Sequence, residues 1–170
     1  MSLLLTLNAG SSSIKFALFE PRPQGLERLA VGQVEGLGEV VRFSAVTTAG
    51  ERHEQQIDGA AGPADHRQAL QGVLDWLRLS FPSREVAAVA HRVVHGGAEH
   101  VEPILLDDES RAQLETLVPL APLHQPHNLA GIDAARAAFP QAQQVACFDT
   151  SFHRSHPFVS DTFALPRQYY

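Results

Sequence analysis

Hydrophobic and polar positions alternate in short blocks at the start of the chain. Residues 3–7 are apolar, and a polar turn over 8–13 separates them from a second apolar run at 14–19. Two apolar runs around a turn of small residues are typical of a β-hairpin. We expect Pro21 and Pro23 to end the second strand.

The strand pattern continues beyond this hairpin. Apolar residues recur through 28–48 and are interrupted by Gly36 and Gly38, which predicts two short strands around a glycine turn. The polar stretch 51–58 predicts an edge strand, and the small residues of 59–63 predict a loop. The first part of the chain is therefore expected to be a series of antiparallel strands.

A helical pattern begins after Asp65, which is a favourable N-cap residue. From Leu70 to Phe81, apolar residues follow the i, i+3, i+4, i+7 spacing of an amphipathic helix, and Pro82 is expected to stop it. The small apolar residues of 86–90 then predict a buried central strand.

Two more helices and a strand complete the pattern. Asp107 or Asp108 is expected to cap a short helix, and Asn128 to cap another that ends at Pro140. Residues 145–148 predict a second buried strand. Antiparallel strands followed by strands that alternate with helices indicate an α/β fold with a mixed sheet and flanking helices.

Polar clusters follow three of the predicted strands, at 8–15, 91–97 and 149–153. In open α/β sheets, ligands bind beyond the carboxyl ends of the strands. We therefore expect these three segments to meet in one cleft.

The composition and charge of the chain exclude several classes of protein and of binding site. The chain has 170 residues, a formal net charge of −6, 44% hydrophobic residues and 19% charged residues, which is ordinary for a globular domain. The acidic balance argues against a dedicated nucleic-acid binder. A single cysteine, Cys147, excludes an intrachain disulfide and a four-cysteine zinc site. No apolar run approaches the ~20 residues of a membrane span, and we expect a cytoplasmic protein without membrane partners.

The turn at 8–15 carries the first candidate chemistry. Its small residues allow backbone N–H groups to approach an anion, and Lys15 adds a positive charge suited to phosphate. Asn8 offers an amide oxygen for a hydrated metal or a phosphate. The alternative is a polar β-turn with an exposed lysine, and the segment is not a P-loop because its glycine and lysine spacing differs.

Three further side chains are candidates, each with a structural alternative. Arg92 presents a planar fork that matches a carboxylate or phosphate, or else forms a structural ion pair. His124, in a loop that Pro122 and Pro126 stiffen, is suited to donate to a phosphoryl group, or else is simply solvated. Asp149 is suited to act as a metal-water ligand or general base, or else caps a turn. Together they suit phosphoryl transfer, which depends on positioning and charge neutralisation.

Four segments then carry a specific resemblance: NAGSSSIK at 8–15, HRVVHGG at 91–97, LAPLHQPHNL at 120–129 and FDTSFH at 148–153. In sequence, order and spacing they resemble the acetate kinase (acetokinase) family. The resemblance implies the RNase H-like, actin-like fold of the acetate and sugar kinase, Hsp70 and actin superfamily. It also implies reversible phosphoryl transfer between ATP and acetate, giving acetyl phosphate, with Mg²⁺ or Mn²⁺.

The resemblance also implies residue roles. Asn8 resembles the family's magnesium-associated asparagine, Arg92 the arginine that holds the acyl carboxylate, and Asp149 the essential aspartate. His124 resembles a histidine near the transferring phosphoryl group. The remaining matches are phosphate-loop residues, namely Ser11, Ser13 and Lys15, and apolar walls of the acetyl-methyl pocket, namely Val94 and Leu123.

The chain departs from the family's pattern in small ways and in length. Gln125, His127 and Ser151 replace residues usual in the family, and residues 154–156 differ as well. Family members are longer and have two similar domains, so residues 1–170 are expected to be the N-terminal acyl- and phosphate-binding domain without the C-terminal adenosine-binding domain.

These departures leave open how the chain functions. We expect this chain to be inactive and monomeric on its own, and the full-length enzyme to be a homodimer. The alternatives are a propionate or butyrate kinase and a non-catalytic actin-like binding module.

Overall fold

The computed structural model describes residues 2–37, 40–57, 65–153, 157–161 and 164–169. Eight strands form one sheet. They are β1 (Ser2–Ala9), β2 (Ser13–Arg22), β3 (Gly25–Glu35), β4 (Val41–Thr47), β5 (Arg52–Ile57), β6 (Glu85–Val93), β7 (Ile104–Leu105) and β8 (Gln143–Phe148).

Helices follow the first five strands and connect the later ones. They are α1 (His66–Ser80), α2 (Asp108–Thr116), α3 (Gln125–Ala138) and the short α4 (Phe158–Asp161), with 3₁₀ turns at Val118–Leu120, Asp149–His153 and Arg167–Tyr169. Within the described ranges, no helix is long and apolar enough to cross a membrane.

The sheet is mixed, as the sequence predicts. Its strand order is β5-β4-β3-β2-β1-β6-β8-β7. The first five strands pair antiparallel, whereas β6 pairs parallel with both β1 and β8. The carboxyl ends of β1, β6 and β8 therefore lie at one edge of the sheet, where Asn8 is opposite Lys15 and Arg92 is opposite Cys147.

The core lies between one face of the sheet and the helices α1 and α3. Along β1 every second side chain is buried, and Leu3, Leu5 and Leu7 pack in one cluster with residues of both helices. The contact between α3 and β1 is closest at Gly131, where an added Cβ would lie 2.4 Å from the Cβ of Ala9. Only glycine allows the helix to rest directly on the end of this strand.

The helix starts confirm two predicted caps and correct a third. Asp65 and Asp107 each form a capping box, with Gln68 and Ser110 respectively. The prediction that Asn128 caps a helix is wrong, because α3 begins earlier, at Gln125. Pro126, predicted in a loop, occupies the first turn of α3, where its missing N–H costs no hydrogen bond.

Two strand predictions are also corrected. The strand β2 continues past Pro21 to Arg22, because Pro21 pairs with Leu26 of β3 beyond Phe19, where the pairing of β2 with β1 ends. The two-residue strand β7 was not predicted, since it is too short for a periodic pattern. The loop predicted over 59–63 lies outside the described residues.

Candidate functional site

A cleft of about 460 Å³ lies at the carboxyl ends of β1, β6 and β8. Its walls include Asn8, Lys15, Arg92 and Asp149. Asn8, Lys15 and Arg92 are strand positions that alternate with buried ones, so they lie on the face of the sheet opposite α1 and α3. The cleft is large enough for a small-molecule ligand. The expected convergence of the three polar segments is therefore present, because each contributes a side chain to this cleft.

Arg92 is the centre of the cleft's hydrogen bonds. Its Nε donates to both carboxylate oxygens of Asp149 at 2.9 and 3.0 Å, and its Nη2 donates to Asp149 Oδ2 at 2.6 Å. Its Nη1 donates to Asn8 Oδ1 at 3.3 Å. The side chains of Arg92 and Asp149 are 52% and 38% exposed, so the pair faces solvent in the cleft.

This pairing leaves donors on the guanidinium. A guanidinium carries five N–H groups, one on Nε and two on each terminal nitrogen. Among the described residues, Asp149 and Asn8 engage Nε and one N–H of each terminal nitrogen of Arg92. One N–H on each terminal nitrogen therefore remains for an incoming anion. The hydrogen bond to Asp149 raises the pKa of Arg92, so this positive charge is permanent.

The turn that follows β1 is closed by a backbone hydrogen bond from Gly10 N to Ser13 O at 2.8 Å. Ser11 at its tip is exposed, and Ser13 is half-buried. Lys15 follows the turn on β2 and reaches the cleft beside Asn8. The predicted anion-binding segment is thus a hydrogen-bonded turn whose flanking residues Asn8 and Lys15 line the cleft.

Two helix residues that the sequence analysis did not assign to the site hold this turn. The Asn128 amide, from the first turn of α3, donates to Ala9 O at 2.8 Å and accepts from Val94 N at 3.0 Å. His66, the first residue of α1, donates from Nε2 to Gly10 O at 2.8 Å. A signal existed for Asn128: it lies four residues before Ile132 on the helix's buried stripe, and a buried amide needs partners.

The other predicted site residues do not line the cleft in the described part of the chain. His124 is exposed at the N-cap of α3, with no side-chain capping bond. Leu123 beside it is 76% exposed, and Val94 is half-buried just beyond β6. The structure therefore brings together Asn8, Lys15, Arg92 and Asp149, whereas Val94, Leu123 and His124 are not among the residues that line this cleft.

His91 belongs to the core rather than to the cleft chemistry. It is buried in β6, and its Nε2 donates to Gln144 Oε1 at 2.8 Å. Burial lowers the pKa of His91 to about 4, so the ring is neutral at physiological pH. His91 is among the residues that line the cleft, but its side chain is on the buried face of β6 and is hydrogen-bonded to Gln144.

Glycines shape the bend between β6 and the segment after β8. Gly97 has a φ of +68°, and an added Cβ at Gly96 would lie 2.7 Å from the ring of Phe148. Gly96 N also donates to Thr150 Oγ1 at 3.1 Å. The two glycines permit this bend, and the hydrogen bond from Gly96 to Thr150 joins two of the three polar segments directly.

Two side chains of the cleft present oxygen atoms that are suited to bind a cation. Within the described ranges, no group of three or more His, Cys, Asp or Glu side chains could hold a metal by itself. Asn8 and Asp149 present amide and carboxylate oxygens in the cleft. Mg²⁺ in phosphate-handling sites is often bound by one or two carboxylates together with substrate phosphates and water, so this donor set fits it.

Similarity to known proteins identifies the family of this chain. The profile of the acetokinase family matches residues 3–170. The chain belongs to the acetokinase family. It is 48% identical to the acetate kinase of Methylocella silvestris and 41% identical to that of Rhodopseudomonas palustris, covering 98% of this chain in both cases. The match covers 43% and 42% of those two relatives, so the chain spans less than half of their length.

Solved structures agree on the fold. The chain superposes on a Porphyromonas gingivalis acetate kinase with a TM-score of 0.82 at 34% identity, and on a Francisella tularensis propionate kinase with 0.81 at 29% identity. Each match covers 99% of this chain and 42% of the other. The actin-like fold predicted from the acetokinase resemblance is therefore confirmed.

Proposed function

We propose that residues 1–170 form the acyl- and phosphate-binding domain of an acetate kinase. The reaction is the reversible transfer of a phosphoryl group from ATP to acetate, giving acetyl phosphate and ADP. The observation that carries the proposal is Arg92, whose guanidinium joins Asp149 to Asn8 in the cleft and retains free donors. Its setting suits a substrate that presents a carboxylate next to a phosphate.

Arg92 binds the carboxylate of acetate in this proposal. Asp149 holds the guanidinium from one side, so the remaining N–H groups are oriented before the substrate arrives. Charge-assisted hydrogen bonds of this type are worth about 1.5–3 kcal/mol each. The arrangement lets one arginine serve an internal carboxylate and a substrate carboxylate together.

The turn after β1 receives the phosphate. Ser11 and Ser13 supply hydroxyl and backbone donors, and Lys15 adds a positive charge at the cleft. His124 approaches the transferring group from the N-terminus of α3, and Val94 and Leu123 contact the methyl group of acetate. The exposure of Leu123 is consistent with an acyl pocket that is completed from outside these residues.

Asn8 and Asp149 are the residues that would hold Mg²⁺ together with the nucleotide phosphates. A bound magnesium ion neutralises charge on the phosphoryl oxygens. Asp149 carries a second task in this proposal, because its carboxylate also keeps Arg92 in place.

The adenosine-binding part lies outside residues 1–170 in this proposal, and the chain alone is inactive. Holding reactants in the right geometry can supply roughly 7–11 kcal/mol of a barrier, and here the nucleotide would have no base-binding partner. We propose that the complete enzyme acts as a cytoplasmic homodimer.

The test compares the 170-residue chain with a hybrid enzyme. The hybrid carries residues 1–170 followed by the C-terminal part of the M. silvestris relative that the match leaves uncovered. A coupled assay with ATP and either acetate or propionate is run on both, with the intact M. silvestris protein as the positive control. We expect turnover in the hybrid with a preference for acetate, and none in the chain alone.

The outcomes separate the candidates. A folded hybrid that is inactive on both acids while the control turns over contradicts kinase function and favours a non-catalytic module. A preference for propionate supports the second candidate, which the Francisella structure suggests. Turnover of the chain alone within about tenfold of the hybrid contradicts the division of the active site proposed here.

A further inference from the structure

One buried side chain, Asn128, joins the backbones of the two binding segments of the cleft. Asn128 is 6% exposed, and its amide uses both ends: Nδ2 donates to Ala9 O, and Oδ1 accepts from Val94 N. Ala9 precedes the phosphate turn, and Val94 follows the strand that carries Arg92. Asn128 therefore contacts the ends of two neighbouring strands at the point where each enters the proposed site.

The β-ladder does not join these two backbone groups. The pairing between β1 and β6 ends at Leu7 and His91, so Ala9 and Val94 lie beyond it. A side-chain amide presents a donor and an acceptor, and here it satisfies one backbone group on each strand. Past the last ladder pair, Asn128 therefore joins the two backbones, while the Arg92–Asn8 hydrogen bond joins their side chains in the cleft.

A second anchor holds the next residue of the turn. His66 Nε2 donates to Gly10 O, and the His66 ring stacks on His127 with centroids 5.9 Å apart and planes 19° apart. Burial, followed by the charges of His66 and His124, lowers the pKa of His127. A neutral His127 can therefore support the His66 ring without charge repulsion.

We infer that Asn128 is a positioning residue that sets the phosphate turn against the acyl-binding segment, with His66 as its second anchor. The inference rests on the proposed function, because it takes the turn as the phosphate site. Asn128 acts through Ala9 and Val94, and His66 through Gly10.

The test uses isotope-labelled chain of residues 1–170, with inorganic phosphate as the probe and amide NMR signals as the readout. Asn128→Asp keeps the acceptor for Val94 N–H but replaces the donor to Ala9 O by an oxygen. Asn128→Ala removes both. His66→Phe keeps an aromatic ring against His127 and removes the donor to Gly10.

We expect all three variants to shift the amide signals of the turn. Asn128→Asp and His66→Phe should weaken phosphate binding by about three- to tenfold, the effect of one lost hydrogen bond, and Asn128→Ala, which loses two, by at least as much. Hydrogen exchange of the Val94 backbone N–H distinguishes the effects of the two ends of the Asn128 side-chain amide. It should accelerate in Asn128→Ala and stay protected in Asn128→Asp, an effect that general loss of stability would not produce.

Matched controls separate positioning from folding. Gln125 is an equally buried amide in the same helix turn, and it donates to His95 O and Leu114 O instead. Gln125→Glu should lower the melting temperature but leave the turn signals and phosphate affinity unchanged. His127→Phe should likewise lower the melting temperature and leave the turn signals and phosphate affinity unchanged, because the hydrogen bond from His66 to Gly10 stays.

Each result decides a different point. Phosphate affinity within twofold of wild type in both Asn128→Asp and His66→Phe would overturn the positioning role while leaving the proposed function standing. Equal effects in Gln125→Glu would overturn it too. A wild-type chain whose turn signals do not respond to phosphate contradicts the phosphate site of the proposed function, and the positioning role falls with it.

Discussion

Two opposite ends of the sheet each hold an arginine–carboxylate cluster, and they differ in exposure. At the far end, Glu20 is 2% exposed and lies between Arg84, which donates to it at 2.7 Å, and Arg22, at 2.5 Å in an ion pair without hydrogen-bond geometry. At the cleft end, Arg92 and Asp149 are both about half-exposed. The arginine–carboxylate pair is thus buried at one end of the sheet, which we call the closed end, and exposed at the other, the open end.

This difference shows what separates a structural ion pair from a candidate site. Glu20 receives two cations and offers nothing to solvent, so it is suited to hold β2 against the start of β6. Arg92 shares its donors with Asp149 and Asn8 and retains N–H groups in a cleft. Removing a charge should therefore lower stability at the closed end and activity at the open end.

The largest expected effect is at Asp149. Asp149→Asn keeps the side chain's shape and removes its charge, so Arg92 loses its ionic partner and the proposed magnesium site loses its carboxylate. Turnover of the hybrid enzyme should fall by about 100-fold or more, with the melting temperature nearly unchanged. A large fall in melting temperature with turnover per folded molecule retained would make Asp149 a structural cap.

Glu20→Gln is the counterpart at the closed end. The substitution leaves two arginines without their buried carboxylate, and we expect a loss of about 1–3 kcal/mol in the free energy of unfolding. Urea denaturation of the 170-residue chain measures it. Turnover of the folded hybrid should stay within about twofold of the parent. If the stability is unchanged, the cluster at the closed end contributes nothing measurable.

Protonation of His91 gives a pH-dependent test of the core beneath the cleft. The pKa of His91 is about 4 in the fold and near 6.5 when unfolded, so the unfolded chain binds more protons and stability falls as pH drops from 6.5 toward 4. Between pH 7 and pH 5 this loss is about 2 kcal/mol. Urea denaturation at both pH values should show a shallower dependence in His91→Gln; an unchanged dependence would contradict a neutral, buried His91.

The smallest expected effect is that of Arg92→Lys, which keeps the positive charge and removes the planar fork. We expect kcat/KM for acetate in the hybrid enzyme to fall by about tenfold, with most of the change in KM. Arg22→Lys is the matched control at the closed end and should leave these constants unaltered. Wild-type kinetics in Arg92→Lys would remove the fork from carboxylate recognition.

The sequence was most informative where one local pattern determines the structure. Asp65 before an apolar helical repeat predicted a helix start, and the carboxyl-end rule predicted that Arg92 and Asp149 approach each other. The sequence could not supply the pairing itself, because the ion pair that was the structural alternative for Arg92 coexists with its place in the cleft beside Asp149.

Local sequence patterns could not predict the contacts between segments that are distant in the chain. His66 and Gly10 are 56 residues apart, and Asn128 and Ala9 are 119 apart. A local rule for asparagine favours a helix cap, and tertiary packing overrode it by burying the amide inside α3. The roles of the individual site residues stay predictions until the variants above are measured.

The contact of Gly131 with Ala9 has a consequence for how this domain tolerates mutation. Any side chain at this position would push α3 away from the end of β1 and carry Asn128 with it. In a library of random substitutions, Gly131 should therefore rank among the inactivating positions although it has no polar group to offer a ligand. Positions that do not tolerate substitution would then extend from the cleft into the helix layer. Interpreting every such position as a contact with substrate would overstate the size of the active site.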